Sequence, residues 1–236
     1  MVQSSMLHSA VDFLAGVPWA LPSLRRAFLR STAADLRTMA LPTASPERQL
    51  RHRRSIDVQI FARGNGLWEV DARLSDVRSQ PTRMARGMLP AGAPIHDMLL
   101  RLVVDERFNV VAAGAQTDAM PYPGACETHG DLYARLVGLN LMQGFRQGVK
   151  TRLGGVQGCT HITELSQSLP TAVVQAFAGE VIDTRGDADG SEQPFQIDRC
   201  HALRADGPTV ATFYPRWFRP APSMPPQSGT STTSET

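Results

Sequence analysis

A glycine-rich turn, Gly64-Asn65-Gly66, joins two segments whose apolar and polar residues alternate. Residues 55–63 and 67–77 each repeat with a period of two, which is typical of a half-buried β-strand. Glycine and asparagine accept the positive φ that tight hairpin turns need. The pattern therefore predicts a β-hairpin, and this hairpin restricts the folds that the rest of the chain can complete.

Two further strand pairs are predicted downstream. Residues 98–104 and 110–118 are rich in β-branched residues and are joined by a short polar connection. Residues 199–204 and 209–214 lie on either side of an Asp-Gly turn signal. We therefore expect three hairpins in all.

The helical patterns lie between the second and third of these hairpins. Residues 132–149 carry apolar side chains near helical spacing and no proline, which predicts one long helix. Residues 160–169 and 172–177 predict one or two more helices, divided near Pro170. Strands followed by helices indicate an α+β fold, with an antiparallel sheet of β-hairpins and two or three helices packed on one face.

Composition predicts a single domain with an extension at each end. We expect an α+β domain over residues 51–218, a basic and partly helical or disordered extension over residues 1–50, and a disordered tail over residues 219–236. Eight arginines lie between Arg25 and Arg54. This arm could make the protein an interaction module that docks on an acidic partner, but its moderate charge density does not favour binding to nucleic acid.

Cysteine content and hydropathy indicate the compartment. The chain has three cysteines, Cys126, Cys159 and Cys200, and this low density predicts a reducing environment without disulfides. The apolar run over residues 10–21 is interrupted by an aspartate, a glycine and a proline, so it is too short to cross a bilayer. We expect a soluble cytoplasmic protein without a membrane partner.

A thiol and an imidazole follow a glycine-rich break in Gly158-Cys159-Thr160-His161, where a helix is predicted to begin. The positive end of a helix dipole favours the thiolate of Cys159, which is the form that binds metals and attacks electrophiles. Glu164 lies three residues after His161, and we expect it to orient that imidazole.

Further polar residues flank the second predicted hairpin. His96 and Asp97 precede its first strand, whereas Asp118 and Cys126 follow its second strand. The start of one strand and the end of its antiparallel partner meet at the same edge of a sheet. His96 and Cys126 are therefore expected to lie near each other.

Together these residues predict a site for one transition metal ion. Mixed Cys/His ligation suits Zn²⁺ better than Fe, and it excludes Mg²⁺ and Ca²⁺. The predicted ligands are His96, Cys126, Cys159 and His161, with Asp118 or Cys200 as an alternative fourth ligand. Such a site would serve metal handling or metal-dependent catabolism of a small molecule.

A cofactor-free enzyme is the alternative function. Cys159 would be the nucleophile and His161 or His96 the base, with Asp97 and Glu164 as further catalytic candidates. The sequence has no Walker A loop, no G-x-S-x-G motif and no G-x-G-x-x-G motif after a strand, which argues against nucleotide-driven chemistry. The substrate or partner, a small molecule or a protein, is not specified by these residues.

From Arg53 to Pro220 the chain resembles a bacterial family known as domain of unknown function 2889. The resemblance rests on these motifs: Gly66-Leu67-Trp68, Gly92 to Met98, Pro121-Tyr122 leading to Cys126, Leu136 to Gly144, Gly158-Cys159-Thr160-His161 and Tyr214-Pro215-Arg216. The family name implies no activity.

Residues 92–100 also resemble the loop and strand that open the metal site of NifU-type iron–sulfur scaffold domains. The resemblance places the first ligand of those domains on His96, their aspartate on Asp97, their second cysteine on Cys126 and their helical cysteine on Cys159. It implies a NifU-like core, with a site better suited to one Zn²⁺ or Fe ion than to cluster transfer.

Overall fold

The computed structural model of this chain describes residues 41–186 and 192–221. Most of the predicted basic extension, residues 1–40, and most of the predicted tail, residues 222–236, lie outside the described residues. The strands and helices below belong to one compact unit that begins at Leu50.

Within residues 41–186 and 192–221, six strands form a four-stranded antiparallel sheet and a small separate hairpin. The sheet has the order β1-β2-β5-β6, and β3 pairs with β4. The strands are β1 His52–Gly64, β2 Leu67–Arg78, β3 Thr82–Met84, β4 Gly87–Leu89, β5 Pro94–Asp105 and β6 Val110–Ala119. The first two predicted hairpins are confirmed as β1–β2 and β5–β6, whereas the three-residue strands β3 and β4 are too short to produce an alternating pattern.

The turn between β1 and β2 has the predicted backbone conformation. The φ angles of Gly64, Asn65 and Gly66 are +78°, +53° and +73°. Glycine and asparagine adopt this left-handed region at lower steric cost than other residues. The turn residues therefore set the register in which β1 and β2 pair.

In the described part of the chain, four α-helices and four 3₁₀ helices follow the last strand. The α-helices are α1 Phe145–Leu153, α2 Thr160–Ser166, α3 Leu169–Phe177 and α4 Pro208–Phe213, and the 3₁₀ helices are Cys126–Leu136, Gly155–Gln157, His201–Leu203 and Pro215–Trp217. The predicted helices after residue 160 are confirmed as α2 and α3. Pro170 lies in the first turn of α3, where its missing N–H costs no hydrogen bond.

The prediction of one long helix over residues 132–149 is wrong. A 3₁₀ helix ends at Leu136, and α1 begins only at Phe145. Between them, Gly138 and Gly144 adopt φ angles of +82° and +65°, which a continuous right-handed helix cannot contain. Apolar residues at helical spacing thus belong to two short helices separated by an irregular segment.

The prediction of a third hairpin near the C-terminus is also wrong. His201–Leu203 forms a 3₁₀ helix and Pro208–Phe213 forms α4. Gly207 precedes this helix and Pro208 occupies its first turn, a position for which the fixed φ of proline is suited. The residues of the predicted strand, 209–214, thus lie mostly in a helix that begins at the proline immediately before them.

The helices cover one face of the sheet. Buried side chains of α1, α2 and α3 form a single core with the inward-facing side chains of β2 and β5. At one end of this core, the ring of Phe177 lies 5.0 Å from that of Trp68 and 4.9 Å from that of Phe108. The α+β class with an antiparallel sheet is therefore confirmed. Within the described part of the chain, no helix is both long and apolar enough to span a membrane.

Candidate functional site

A row of three polar residues crosses the helix-covered face of the sheet. Trp68, Val70, Ala72 and Leu74 are the inward-facing residues of β2, and Asp76 is the next residue on that face. In the strand register, Asp76 lies opposite Arg54 of β1 on one side and opposite His96 of β5 on the other. Strand alternation and register therefore place Arg54, Asp76 and His96 side by side beneath the helices.

Asp76 is held by four hydrogen bonds. Its side chain is only 2% exposed. Arg54 donates through Nε to Oδ1 and through Nη2 to Oδ2, at 2.9 Å each. His52 Nε2 lies 3.0 Å from Oδ1 and His96 Nδ1 lies 3.1 Å from Oδ2. The carboxylate is thus buried and fully paired, as a stable buried charge requires.

These partners keep Asp76 ionised. Burial by itself raises the pKa of the carboxyl group, because it disfavours the charged form. The hydrogen bonds and positive charge of Arg54 outweigh burial, with help from His96 and His52, and lower the pKa of Asp76 to about 2. The group is therefore a carboxylate throughout the physiological pH range.

The charge of Asp76 determines the tautomer of His96. An ionised carboxylate can only accept hydrogen bonds, so Nδ1 of His96 carries a proton. In the neutral imidazole the lone pair then lies on Nε2. His96 is therefore oriented as a metal ligand or a general base, as in the carboxylate–histidine arrangements of metal sites.

His161 of α2 lies against His96. Their ring centroids are 3.9 Å apart and the rings are tilted by 36°. Burial lowers the pKa of His161, and the nearby His96 and Arg54 lower it further. Asp76, His96 and His161 each offer one ligand atom, and these atoms all lie within 4.8 Å of one another. We call these three residues the His/Asp cluster.

Cys159 is placed beside the His/Asp cluster by its own backbone. The buried hydroxyl group of Tyr133 donates to Cys159 O at 2.9 Å and accepts from Cys159 N at 3.1 Å. A Cβ atom at Gly158 would lie 2.9 Å from Leu153 O and 3.2 Å from this hydroxyl group, so the close approach requires glycine. The Sγ atom of Cys159 lies 3.9 Å from Nδ1 of His161.

Two of the predicted acidic residues face the other side of the sheet. Asp97 and Asp118 accept hydrogen bonds from Nη2 of Arg73 at 2.7 and 2.8 Å. Successive residues of a strand point to opposite faces, so Asp97 lies across the sheet from His96. Neither aspartate belongs to the His/Asp cluster.

The remaining predicted residues occupy separate positions. Cys126 begins the 3₁₀ helix that follows β6, where it is partly buried, and it is not part of the His/Asp cluster. Cys200 is exposed. The carboxylate of Glu164 lies 3.3 Å from Nη1 of Arg54. Glu164 thus contacts the arginine that holds Asp76, and Cys126 as a metal ligand stays a prediction.

Asp76, Arg54 and His52 were not predicted from the sequence. A signal for Asp76 was present, because an acidic residue continues the buried series Trp68, Val70, Ala72 and Leu74 at the same period of two. A carboxylate at an inward-facing position needs a cationic partner. That partner could have been sought on the neighbouring strand, where Arg54 and His52 lie on the corresponding face.

The fold and site define an α+β domain that carries a buried carboxylate and a histidine pair on the helix-covered face of its sheet. Comparison with known protein families matches residues 52–175 to the family described as protein of unknown function (DUF2889), and the chain belongs to this family. His52, Arg54, Asp76, His96 and His161 all lie within the matched residues. No curated protein and no solved structure matches the chain.

Proposed function

We propose that the domain binds one transition metal ion, Zn²⁺ in preference to Fe, through His96, His161 and Cys159. The observation that carries the proposal is the His96–His161 pair, in which a buried carboxylate orients one imidazole and a thiol lies beside the other. Metal-bound histidines commonly donate their second ring N–H to a carboxylate, as His96 does to Asp76.

The separation of the candidate ligand atoms supports this proposal. Zn–S and Zn–N bonds of about 2.3 and 2.0–2.1 Å place tetrahedral ligand atoms roughly 3–4 Å apart. The distance from Cys159 Sγ to His161 Nδ1 is 3.9 Å. The lowered pKa of His161 also favours the neutral imidazole, which is the form that binds metal ions.

In this proposal Asp76 orients a ligand and does not bind the metal ion itself. Both of its oxygens already accept hydrogen bonds from Arg54, His52 and His96. Direct ligation would require one of these donors to be displaced. A water molecule, a substrate or Cys126 would complete a tetrahedral site, and an open fourth position is typical of catalytic zinc sites.

The test begins with the full-length protein purified from rich medium, whose bound metals are measured by mass spectrometry. The apo-protein is then titrated with Co²⁺, because thiolate ligation to Co²⁺ produces an ultraviolet charge-transfer band. We expect about one ion per chain and a thiolate band that disappears in Cys159→Ser. We expect His161→Ala to weaken metal binding by about tenfold or more.

Cys126→Ser and Cys200→Ser are matched controls, because each removes one thiol. A thiolate band that is weakened but not lost in both Cys159→Ser and Cys126→Ser would identify Cys126 as the fourth ligand, whereas Cys200→Ser should leave binding unchanged. Metal content below about a tenth of an equivalent, combined with no saturable Co²⁺ or Zn²⁺ binding, would contradict the proposal.

Thiol catalysis without a metal ion is the second candidate function. It is favoured by the same 3.9 Å separation between Cys159 Sγ and His161 Nδ1, since an adjacent imidazole can activate a thiol. In metal-free folded protein, Cys159 should then be alkylated faster than the more exposed Cys200, and His161→Ala should slow this reaction. Equal alkylation rates of Cys159 in the wild type and in His161→Ala would argue against this function.

A further inference from the structure

A groove with both apolar and polar lining residues runs between α1 and α2. Its volume is about 470 Å³, which falls within the range of small-molecule sites. We call it the α1–α2 groove. Its lining includes Arg146, Gln147 and Lys150 of α1 and Thr163, Glu164 and Gln167 on the α2 side. The wall therefore offers two cations and several hydrogen-bonding groups to a ligand.

The two cations of the α1–α2 groove are adjacent and available. Arg146 and Lys150 are four residues apart on α1, so they share a helix face, where like charges repel. Among residues 41–186 and 192–221, neither side chain has an acidic partner within ion-pair distance. A bound anion would relieve this repulsion and accept hydrogen bonds from both side chains.

The acidic residue of the α1–α2 groove is engaged elsewhere. The carboxylate of Glu164 contacts Arg54, which in turn holds Asp76. Arg54 therefore partly offsets the negative charge that Glu164 brings to the groove. Glu164 and Thr160 also lie on either side of His161 in α2, so a ligand in this groove lies next to the helix that supplies the histidine.

We propose that the α1–α2 groove binds a small organic oxyanion, a carboxylate or a phosphate ester, through Arg146 and Lys150. The amide groups of Gln147 and Gln167 then bind polar groups elsewhere in the ligand, while the Thr163 hydroxyl group stays paired with Tyr133 and Leu153 O. Anion binding itself does not require a metal ion. We also infer that the bound oxyanion is the substrate of the metal site, and this step rests on the proposed function.

The test uses the full-length protein with inorganic phosphate and malonate as probes, at constant ionic strength. Binding is followed by ¹H–¹⁵N NMR in chelator-treated and in Zn²⁺-loaded samples. We expect saturable shifts of the Gln147, Thr163 and Gln167 signals in both samples. The double variant Arg146→Gln/Lys150→Gln should weaken binding by about tenfold or more, because it removes both charged donors.

Arg83→Gln/Arg86→Gln is the matched control, because it removes the same charge from exposed residues outside the α1–α2 groove. This control should bind both probes as the wild type does. Response to malonate alone identifies a carboxylate ligand, response to phosphate alone a phosphate ester, and response to both supports the shared oxyanion chemistry. No saturable shift with either probe, or equal weakening in the control, would overturn the inference, whether or not the protein binds a metal ion.

Discussion

Replacing Asp76 with asparagine keeps the shape of the side chain but removes a buried charge. In the wild type the carboxylate accepts two hydrogen bonds from Arg54, one from His52 and one from His96. An asparagine side chain has one acceptor oxygen and one donor NH₂ group. The NH₂ group would face N–H donors of the protein, so at least one former hydrogen bond would become a donor–donor contact.

The cost can be worked from the pKa of Asp76. Its partners lower the pKa from 3.8 to about 2. A tenfold change in proton affinity corresponds to about 1.4 kcal/mol, so the charged form is favoured in the folded state by about 2 kcal/mol. Buried N–H donors that lose their acceptor add to this loss of stability. Because Arg54 is partly exposed, water can replace some of the lost hydrogen bonds. We expect Asp76→Asn to lower the free energy of unfolding by about 2–4 kcal/mol.

Urea unfolding at pH 7, followed by circular dichroism, measures this change. The corresponding fall in melting temperature is roughly 4–16 °C for a domain of this size. Asp71→Asn is the matched control, since Asp71 accepts two hydrogen bonds from Arg101 at 2.6 Å but on the more exposed face of the same strand. The Asp71→Asn control should lower the free energy of unfolding by about 1 kcal/mol or less.

The pH dependence of stability follows from the direction in which folding shifts the pKa of Asp76. The folded-state pKa of Asp76 lies below its unfolded value, so the stabilisation is complete above the unfolded value and is lost as pH falls towards about 2. The stability gap between wild type and Asp76→Asn should therefore narrow from about pH 5 downwards. A gap below about 0.5 kcal/mol at pH 7, or an equal loss in Asp71→Asn, would refute this reasoning.

Two further predictions concern the approach of α2 to the sheet. Gly158→Ala should lower the free energy of unfolding by about 1–3 kcal/mol, because its Cβ would press on Leu153 O and on the Tyr133 hydroxyl group. Gly114→Ala is the control, because a Cβ atom at Gly114 would meet no atom within 4 Å. Equal effects of the two variants in urea unfolding would contradict the prediction. Burial and His96 lower the pKa of His161 in the folded protein. As pH falls, the unfolded chain therefore binds a proton at His161 before the folded protein does, so stability should fall as pH drops below the unfolded value of 6.5. His161→Gln should reduce that fall in a series of urea midpoints, and an unchanged pH profile would count against it.

Local sequence patterns predicted much of the sheet and the helices α2 and α3, but not the segments before and after those two helices. The Gly64-Asn65-Gly66 turn and two alternating segments are enough to predict the first hairpin, because turn chemistry and side-chain period act within a few residues. The segment from residue 132 to residue 149 shows the limit of this approach. Its apolar spacing is helical, but Gly138 follows the 3₁₀ helix and Gly144 precedes α1, and both adopt left-handed conformations that interrupt a continuous helix.

The candidate site was predicted only in part for the same reason. The sequence by itself indicated His96, Cys159 and His161, because their residue types carry chemistry and they flank predicted elements. Only the strand register placed Asp76 between Arg54 and His96. The alternation of side chains along β5 likewise places Asp97 on the opposite face of the sheet, where it pairs with Arg73. The contacts between side chains depend on strand register and on the face of the sheet that each residue occupies. Both are decided by pairing and packing between segments that are distant along the chain.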